Sequence, residues 1–266
     1  MLDASGLRSL WVAAETSDGG EPRPDRSEIS ATVETPRKAS SLGPRSGSDP
    51  ERFADRREAG ERLARALVGR GVRAAVVLAI PRGGVPVAAE VARALGAGLD
   101  VVVAKKIGVP GNPELALGAV TASGTRVLNA EFVAELAAGD AWLERATASA
   151  REVALQKATL LRAGREPFDV RGLSVLVVDD GLATGATALA CVRDLRTRGA
   201  VHVMLAVPVG SREACALLRA EVEDLTCLVR PLFFAAVGEF YDDFAQVSDE
   251  EARAILRSFQ RAAPQV

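Results

Sequence analysis

Ser174-Val175-Leu176-Val177-Val178 is a short run in which polar and apolar side chains do not alternate, and it stops abruptly at Asp179-Asp180-Gly181. Successive residues of a strand face opposite ways, so a strand apolar throughout must be covered on both faces. That is the condition of a central strand in a parallel sheet flanked by helices. Similar runs recur at Ala74–Ile80, Leu99–Ala104, Val201–Val207 and Leu225–Val229. Helical patterning fills the intervals: an amphipathic helix from Phe53 to the stop at Gly69 and Gly71, then Val85–Leu95, Ala130–Leu161 with a break at Gly139, Gly185–Arg198 and Arg212–Ala220. This alternation implies an α/β chain with an open, mostly parallel twisted sheet and helices on both faces. Ala116–Thr121 and Arg126–Leu128 flank Ala122-Ser123-Gly124-Thr125 and read as a hairpin.

Composition narrows the function classes. With 266 residues, 48% of them hydrophobic, the chain can bury one substantial core. Residues 1–50 differ in texture, because Ser, Gly and Pro fill 19 of those 50 positions and no apolar period runs through them. Such a stretch cannot bury enough surface to offset the entropy of ordering, so it is expected to be a disordered tail before a folded domain over 51–266. A net charge of −2 and a pI near 5.7 argue against a general nucleic-acid or anionic-membrane binder. Cys191, Cys215 and Cys227 share no metal-ligand spacing and His202 stands alone, which suits a reduced, cytoplasmic protein without a structural metal. These four residues read as packed core side chains. No apolar run approaches the roughly 20 residues that span a bilayer.

In a parallel sheet, ligands bind beyond the carboxyl ends of the strands. Three loops qualify. Pro81-Arg82-Gly83-Gly84 offers backbone N–H groups close to an anion and a guanidinium fork. Lys105-Lys106-Ile107-Gly108-Val109-Pro110-Gly111-Asn112-Pro113 carries too much Gly and Pro for a regular element and is expected to be a long loop. The strongest signal is Asp179-Asp180-Gly181-Leu182-Ala183-Thr184-Gly185-Ala186-Thr187. Its second half sets N–H groups and the Thr184 and Thr187 hydroxyls at a helix N-terminus, where a phosphate monoester is stabilised by fixed donors and the helix dipole. Its first half is acidic. Such a pairing asks for a ligand with hydroxyls or a metal at one end and a phosphate at the other, as in ribose 5-phosphate. In a regular strand Asp179 and Asp180 would face opposite ways, so the backbone must turn if both reach the ligand, with Asp180 the favoured one.

The acidic turn resembles the 5-phosphoribosyl-1-pyrophosphate (PRPP) motif of type I phosphoribosyltransferases. The resemblance implies that Asp179 and Asp180 hold the ribose hydroxyls, while Gly181, Ala183, Thr184, Gly185, Ala186 and Thr187 form the 5-phosphate cradle. It sets Arg82, Gly83 and Gly84 in the family's pyrophosphate loop and Lys105 and Lys106 in its mobile catalytic loop. It also makes Ala235–Phe244 part of a small C-terminal hood, at about 230–248, that covers the base. Phe240 and Tyr241 are then base-stacking candidates, and Asp242 and Asp243 either reach Mg²⁺ through water or cap the following turn. Purine salvage members carry Asp where this chain has Ala183, which resembles the uracil-using members instead, so base specificity does not carry over.

The implied reaction transfers the phosphoribosyl group from PRPP, with Mg²⁺, to a nitrogenous base, releasing pyrophosphate, as in nucleotide salvage. Arg82 and a lysine from the 105–113 loop would offset the leaving charge. The alternative is a non-catalytic PRPP-binding regulatory module. The expected partners are these small molecules and, by analogy with the family, a second copy of the chain in a homodimer.

Overall fold

A computed structural model describes residues 11–13, 52–109, 112–135 and 139–259. At its centre lies β7 (Ser174–Val178), flanked by β2 (Val76–Ala79) and β8 (His202–Val209) in a five-stranded sheet ordered β3-β2-β7-β8-β9, with β3 at Gly98–Val101 and β9 at Asp224–Val229. Every pairing in this sheet is parallel. β7 is covered on both faces. Val175 and Val177 join the core formed with α5 (Ala186–Thr197) and α6 (Arg212–Arg219). Leu176 and Val178 join the core formed with α1 (Arg56–Gly69), α2 (Gly84–Leu95), α4 (Asp140–Arg162) and α7 (Asp249–Ser258). The unbroken apolar run thus has the physical cause read from the sequence.

A second sheet, ordered β1-β6-β5-β4, is antiparallel. It comprises β1 (Trp11–Ala13), β4 (Ala104–Val109), β5 (Asn112–Thr121) and β6 (Arg126–Asn129), with the short α3 (Ala130–Glu135) after it. The β5–β6 hairpin was expected, but β4 was not. Ala104–Val109 pairs with β5, Lys105 opposite Val120 and Lys106 opposite Ala119, and the ladder shifts register at Gly108. Gly108 shifts the register instead of abolishing the strand, because an irregularity can absorb a glycine without unpairing its neighbours. Trp11–Ala13 pairs with β6, so this piece of the N-terminal stretch is part of a sheet. The expectation for the remainder of 1–50 lies outside the described residues.

Beyond β9 the chain forms a 3₁₀ turn, Val237–Phe240, and returns to the start of α1. Phe53 N donates to Phe240 O and Asp242 N to Phe53 O, both at 2.8 Å, and Asp243 N donates to Ala54 O. Phe53, Ala59, Val209, Val229, Phe240 and Tyr241 form a separate core beneath this stitch. α7 follows; it went unread in the sequence although Ser248 and Glu251 carry the S-x-x-E spacing that marks a helix start, and Ser248 Oγ accepts from Glu251 N at 3.0 Å. His202 is a correction. It begins β8 exposed, with Nδ1 3.4 Å from Ser174 Oγ, because the first residue of a strand lies outside the layered core. Among the described residues, no helix is long and apolar enough to cross a membrane.

Candidate active site

Two loops at the carboxyl ends of the adjacent strands β2 and β7 touch. Ile80 N still donates to Val178 O at 2.9 Å, and past that bond both backbones turn. Gly83 lies so close to the acidic turn that a Cβ there would overlap Asp180 Oδ2. Only a residue without a side chain permits that approach. The Pro81–Arg82 peptide is cis.

Asp180 is held from three directions. Its Oδ2 accepts from Arg56 Nε at 2.8 Å, and the side chains of the pair are 15% and 11% exposed. Its backbone carbonyl accepts from the Tyr241 hydroxyl at 2.7 Å. Its own N–H donates to Asp179 Oδ1 at 2.8 Å, which shows that the backbone leaves strand geometry between the two acids. Burial, reinforced by the neighbouring Asp180 charge, pushes the Asp179 carboxyl well above the usual carboxylate range. The Tyr241 hydroxyl is pushed up as well, chiefly by burial and then by the Asp180 charge.

The turn continues through Gly181 and Leu182, both buried, to Ala183 and Thr184, both exposed, and into α5. Leu182 N donates to Val209 O and Ser211 N to Leu182 O, each at 2.9 Å, and Ser211 Oγ donates to Ala183 O at 2.7 Å, so β8 braces the turn from beneath. Gly185 is the residue before α5 and has φ 80°, a left-handed conformation that glycine takes without penalty. No side chain caps α5. Its leading N–H groups, at Ala186, Thr187 and Ala188, precede the first carbonyls that the helix can offer them, the arrangement that suits an anion at a helix start, with Thr187 half-buried beside them.

Arg56 was missed in the sequence. It sits at the start of α1, its guanidinium carbon 3.8 Å from the Phe244 ring centroid, with Nη1 donating to Ala245 O at 2.7 Å. Nothing local marks it, since its partner is 124 residues away.

Other expected site residues fall elsewhere. Phe240 and Tyr241 are each 2% exposed; Phe240 stacks on Phe234 at 5.6 Å, and Tyr241 lies between Phe53 and Phe244. Their rings are spent on the small core with Phe53 and Phe234, and Tyr241 reaches the acidic turn through its hydroxyl. Asp242 pairs with Arg52 at 3.0 Å and Asp243 Oδ1 accepts from Ala245 N at 2.9 Å, the capping role. Lys105 and Lys106 are exposed on β4. Arg82 Nη1 stands 3.7 Å from Asp249 Oδ1, a carboxylate that Lys157 grips at 2.8 Å through both oxygens.

Comparison with known proteins agrees with this geometry. The family model described as phosphoribosyl transferase domain matches residues 55–244, from the residue before α1 to the hood. A Mycobacterium tuberculosis protein provisionally named a phosphoribosyl transferase is 45% identical over 209 residues. That alignment takes in 77% of this chain but 46% of the relative, so the chain spans about half the length of the curated relatives it matches. A uracil phosphoribosyltransferase of Staphylococcus saprophyticus is 32% identical over 82 residues, 31% of this chain and 37% of its own length. The crystal structure of the protein TT1426 from Thermus thermophilus is 46% identical with a TM-score of 0.67, covering 78% of this chain and 99% of that one. Family model, relatives and solved fold converge on one assignment: the chain belongs to the phosphoribosyl transferase domain family, with the type I fold.

Proposed function

We propose that this chain binds PRPP with Mg²⁺ and transfers the phosphoribosyl group to a nitrogenous base, releasing pyrophosphate. The observation that carries the reading is the close approach of Gly83 to the Asp180 carboxylate, because it joins a glycine-rich backbone loop to the acids that would grip a ribose. The uncapped start of α5 lies on the same turn and suits the 5-phosphate. We assign the domain to 51–266, with 230–248 as its hood.

The donor set fits a hard cation. Two adjacent carboxylates face one guanidinium, and a cation or sugar hydroxyls would favour the charged form of the Asp179 carboxyl, which burial first and the Asp180 charge second push up. Among the described residues no group of three or more His, Cys, Asp or Glu side chains converges, so the remaining ligands would be substrate oxygens and water, the usual habit of Mg²⁺. When bound, the ion neutralises charge on the leaving pyrophosphate.

The chain's own residues do the rest. Thr184, Thr187 and the N–H groups of α5 fix the 5-phosphate, while Asp179 and Asp180 orient the ribose. The bond from the anomeric carbon to pyrophosphate oxygen breaks with its electron pair leaving on oxygen, a ring nitrogen of the base supplies the new bond from the opposite face, and the proton that nitrogen carried passes to the departing pyrophosphate or to solvent. The Gly83-Gly84 N–H groups and Arg82, once turned from Asp249, stabilise the departing charge. Ala183 brings no carboxylate to the base. That absence, together with the local similarity to a uracil phosphoribosyltransferase, sets uracil first among acceptors.

A second reading, a non-catalytic PRPP-binding module, draws on the engagement of Arg82 with Asp249 and on the standing of Lys105 and Lys106 on a paired strand. One experiment separates the two. The chain is incubated with PRPP, Mg²⁺ and each of a panel of pyrimidines and purines, and pyrophosphate release is followed. Base-dependent release establishes the transferase; PRPP binding in calorimetry without release under any base establishes the module; neither result with a folded chain refutes both.

A further inference from the structure

Cys215, on the inner face of α6, and Cys227, on β9, turn their sulfurs toward one point. A Cβ on Gly210 would stand 2.9 Å from Cys215 Sγ and 3.4 Å from Cys227 Sγ, so the pair faces the small space that a glycine leaves open. The two thiols influence each other, and the Cys227 S–H donates to Val229 O at 3.2 Å. Both are free.

The surroundings favour reaction at one of them. Cys215 lines a cleft of about 380 Å³ whose other walls are Arg212, Ala216, Arg219 and Arg230. All three arginines are exposed. The hydrogen bond from Cys227, aided by the Arg230 and Arg219 charges, holds the Cys215 thiol below the usual thiol range, whereas the contact with Cys215 and burial push Cys227 up. A small anionic or polar oxidant entering this cleft meets positive charge and a sulfur inclined to be thiolate. Cys215 is itself only 2% exposed and Cys227 is half-buried; Cys191, at 0% exposed, has its thiol pushed up by burial and faces Val102 O at 3.9 Å.

We propose that Cys215 and Cys227 form a modification site at which a small peroxide is reduced while the two thiols join in a disulfide. In the first step the Cys215 thiolate attacks a peroxide oxygen, the O–O bond breaks, and Cys215 becomes a sulfenic acid as hydroxide leaves. In the second step Cys227 loses its proton to that hydroxide and attacks the sulfenyl sulfur, releasing the second oxygen as water once protonated. Hydrogen peroxide is the oxidant throughout, and two thiols with one peroxide give one disulfide and two waters. The new bond would tie α6 to β9 beside Gly210, whose neighbour Ser211 braces the turn at Leu182 and Ala183. The oxidation chemistry does not depend on PRPP turnover.

The test uses the reduced full chain treated with equimolar hydrogen peroxide, alkylated after denaturation and digested for mass spectrometry. The expected result is a Cys215–Cys227 cross-linked peptide pair, alkylation confined to Cys191, and recovery of all thiols with dithiothreitol. Cys227→Ser should stop at a sulfenic acid on Cys215 that dimedone traps, and Arg230→Gln should slow the oxidation by roughly threefold or more. Equal oxidation of all three cysteines, linkage only between separate chains, or no linkage while peroxide is consumed would overturn the proposal. Circular dichroism checks that each variant is folded. If Cys227→Ser is not, alkylation rates of Cys215 and Cys191 in the native wild-type chain decide instead: Cys215 must react at least about tenfold faster.

Discussion

Arg56 and Asp180 stand 124 residues apart in the chain and meet at 2.8 Å, Nε to Oδ2, inside a junction closed by Phe244 and Tyr241. The pair fastens the first helix, the acidic turn and the segment at Phe244 and Ala245 to one another. Its removal should be felt in all three.

Arg56→Ala leaves two adjacent carboxylates without a facing cation and deletes the stack on Phe244. With the pair only slightly exposed, we expect a loss of about 2–4 kcal/mol in urea unfolding. A loss below about 0.5 kcal/mol would show that the junction holds without it. Asp180→Asn should cost less, since Arg56 keeps Phe244 and the Ala245 carbonyl, while PRPP binding in calorimetry should weaken clearly.

Asp179→Asn should act in the opposite sense on stability. The folded carboxyl titrates above its unfolded value near 3.9, so its contribution is fully present below that value and is lost as pH rises through the folded pKa. At neutral pH the ligand-free variant should therefore melt above the wild type, and the gap should close in acid. PRPP affinity should fall at the same time. A variant less stable than wild type at neutral pH would contradict the burial argument.

Asp249 supplies the contrasting pH dependence. The hydrogen bonds from Lys157, with help from Arg82, hold its carboxyl below the usual range, so its contribution is present above the unfolded value and is lost as pH falls through the folded one. Asp249→Asn should cost less than about 1 kcal/mol, since water reaches the cluster. The deficit should vanish in acid. Thermal melts across that range, compared with those of Asp179→Asn, would reveal opposite slopes.

Gly83→Ala forces a methyl group against the Asp180 carboxylate. Since the acid is fixed by Arg56, the loop has to move, at a cost of roughly 1–3 kcal/mol. Pyrophosphate release and PRPP affinity should both collapse. Normal affinity in a folded variant would separate this loop from the ligand.

Thr184→Ala tests the phosphate end alone. The residue is exposed, so the melting temperature should hold, whereas one lost hydrogen bond to a charged phosphate predicts PRPP binding weaker by roughly tenfold or more. Calorimetry with PRPP measures the effect directly.

Much of this was legible in the chain. β7 announced its central position because five residues without a polar face can be satisfied only between two helical layers. The acidic turn and the uncapped start of α5 were legible because they are contiguous, so that strand end, turn and helix start can be read from neighbouring residues. Most of the strand Ala104–Val109 was read as loop because Gly108 looks like a breaker until a partner strand is present to hold the ladder around it. Phe240 and Tyr241 looked available for a base because a sequence does not show that Phe53 and Phe234 already occupy their rings.

The amino-acid order by itself determined the layered α/β architecture and the acidic turn ahead of α5, since periodicity and glycine placement act over a few neighbours. Tertiary structure alone decided which side chains meet: Arg56 with Asp180, Arg82 with Asp249, Cys215 with Cys227. These partners lie on different elements, and the distances between them are set by how helices and strands pack. Coulomb and hydrogen-bond energies fall off within a few ångströms, so only the packed chain could select them.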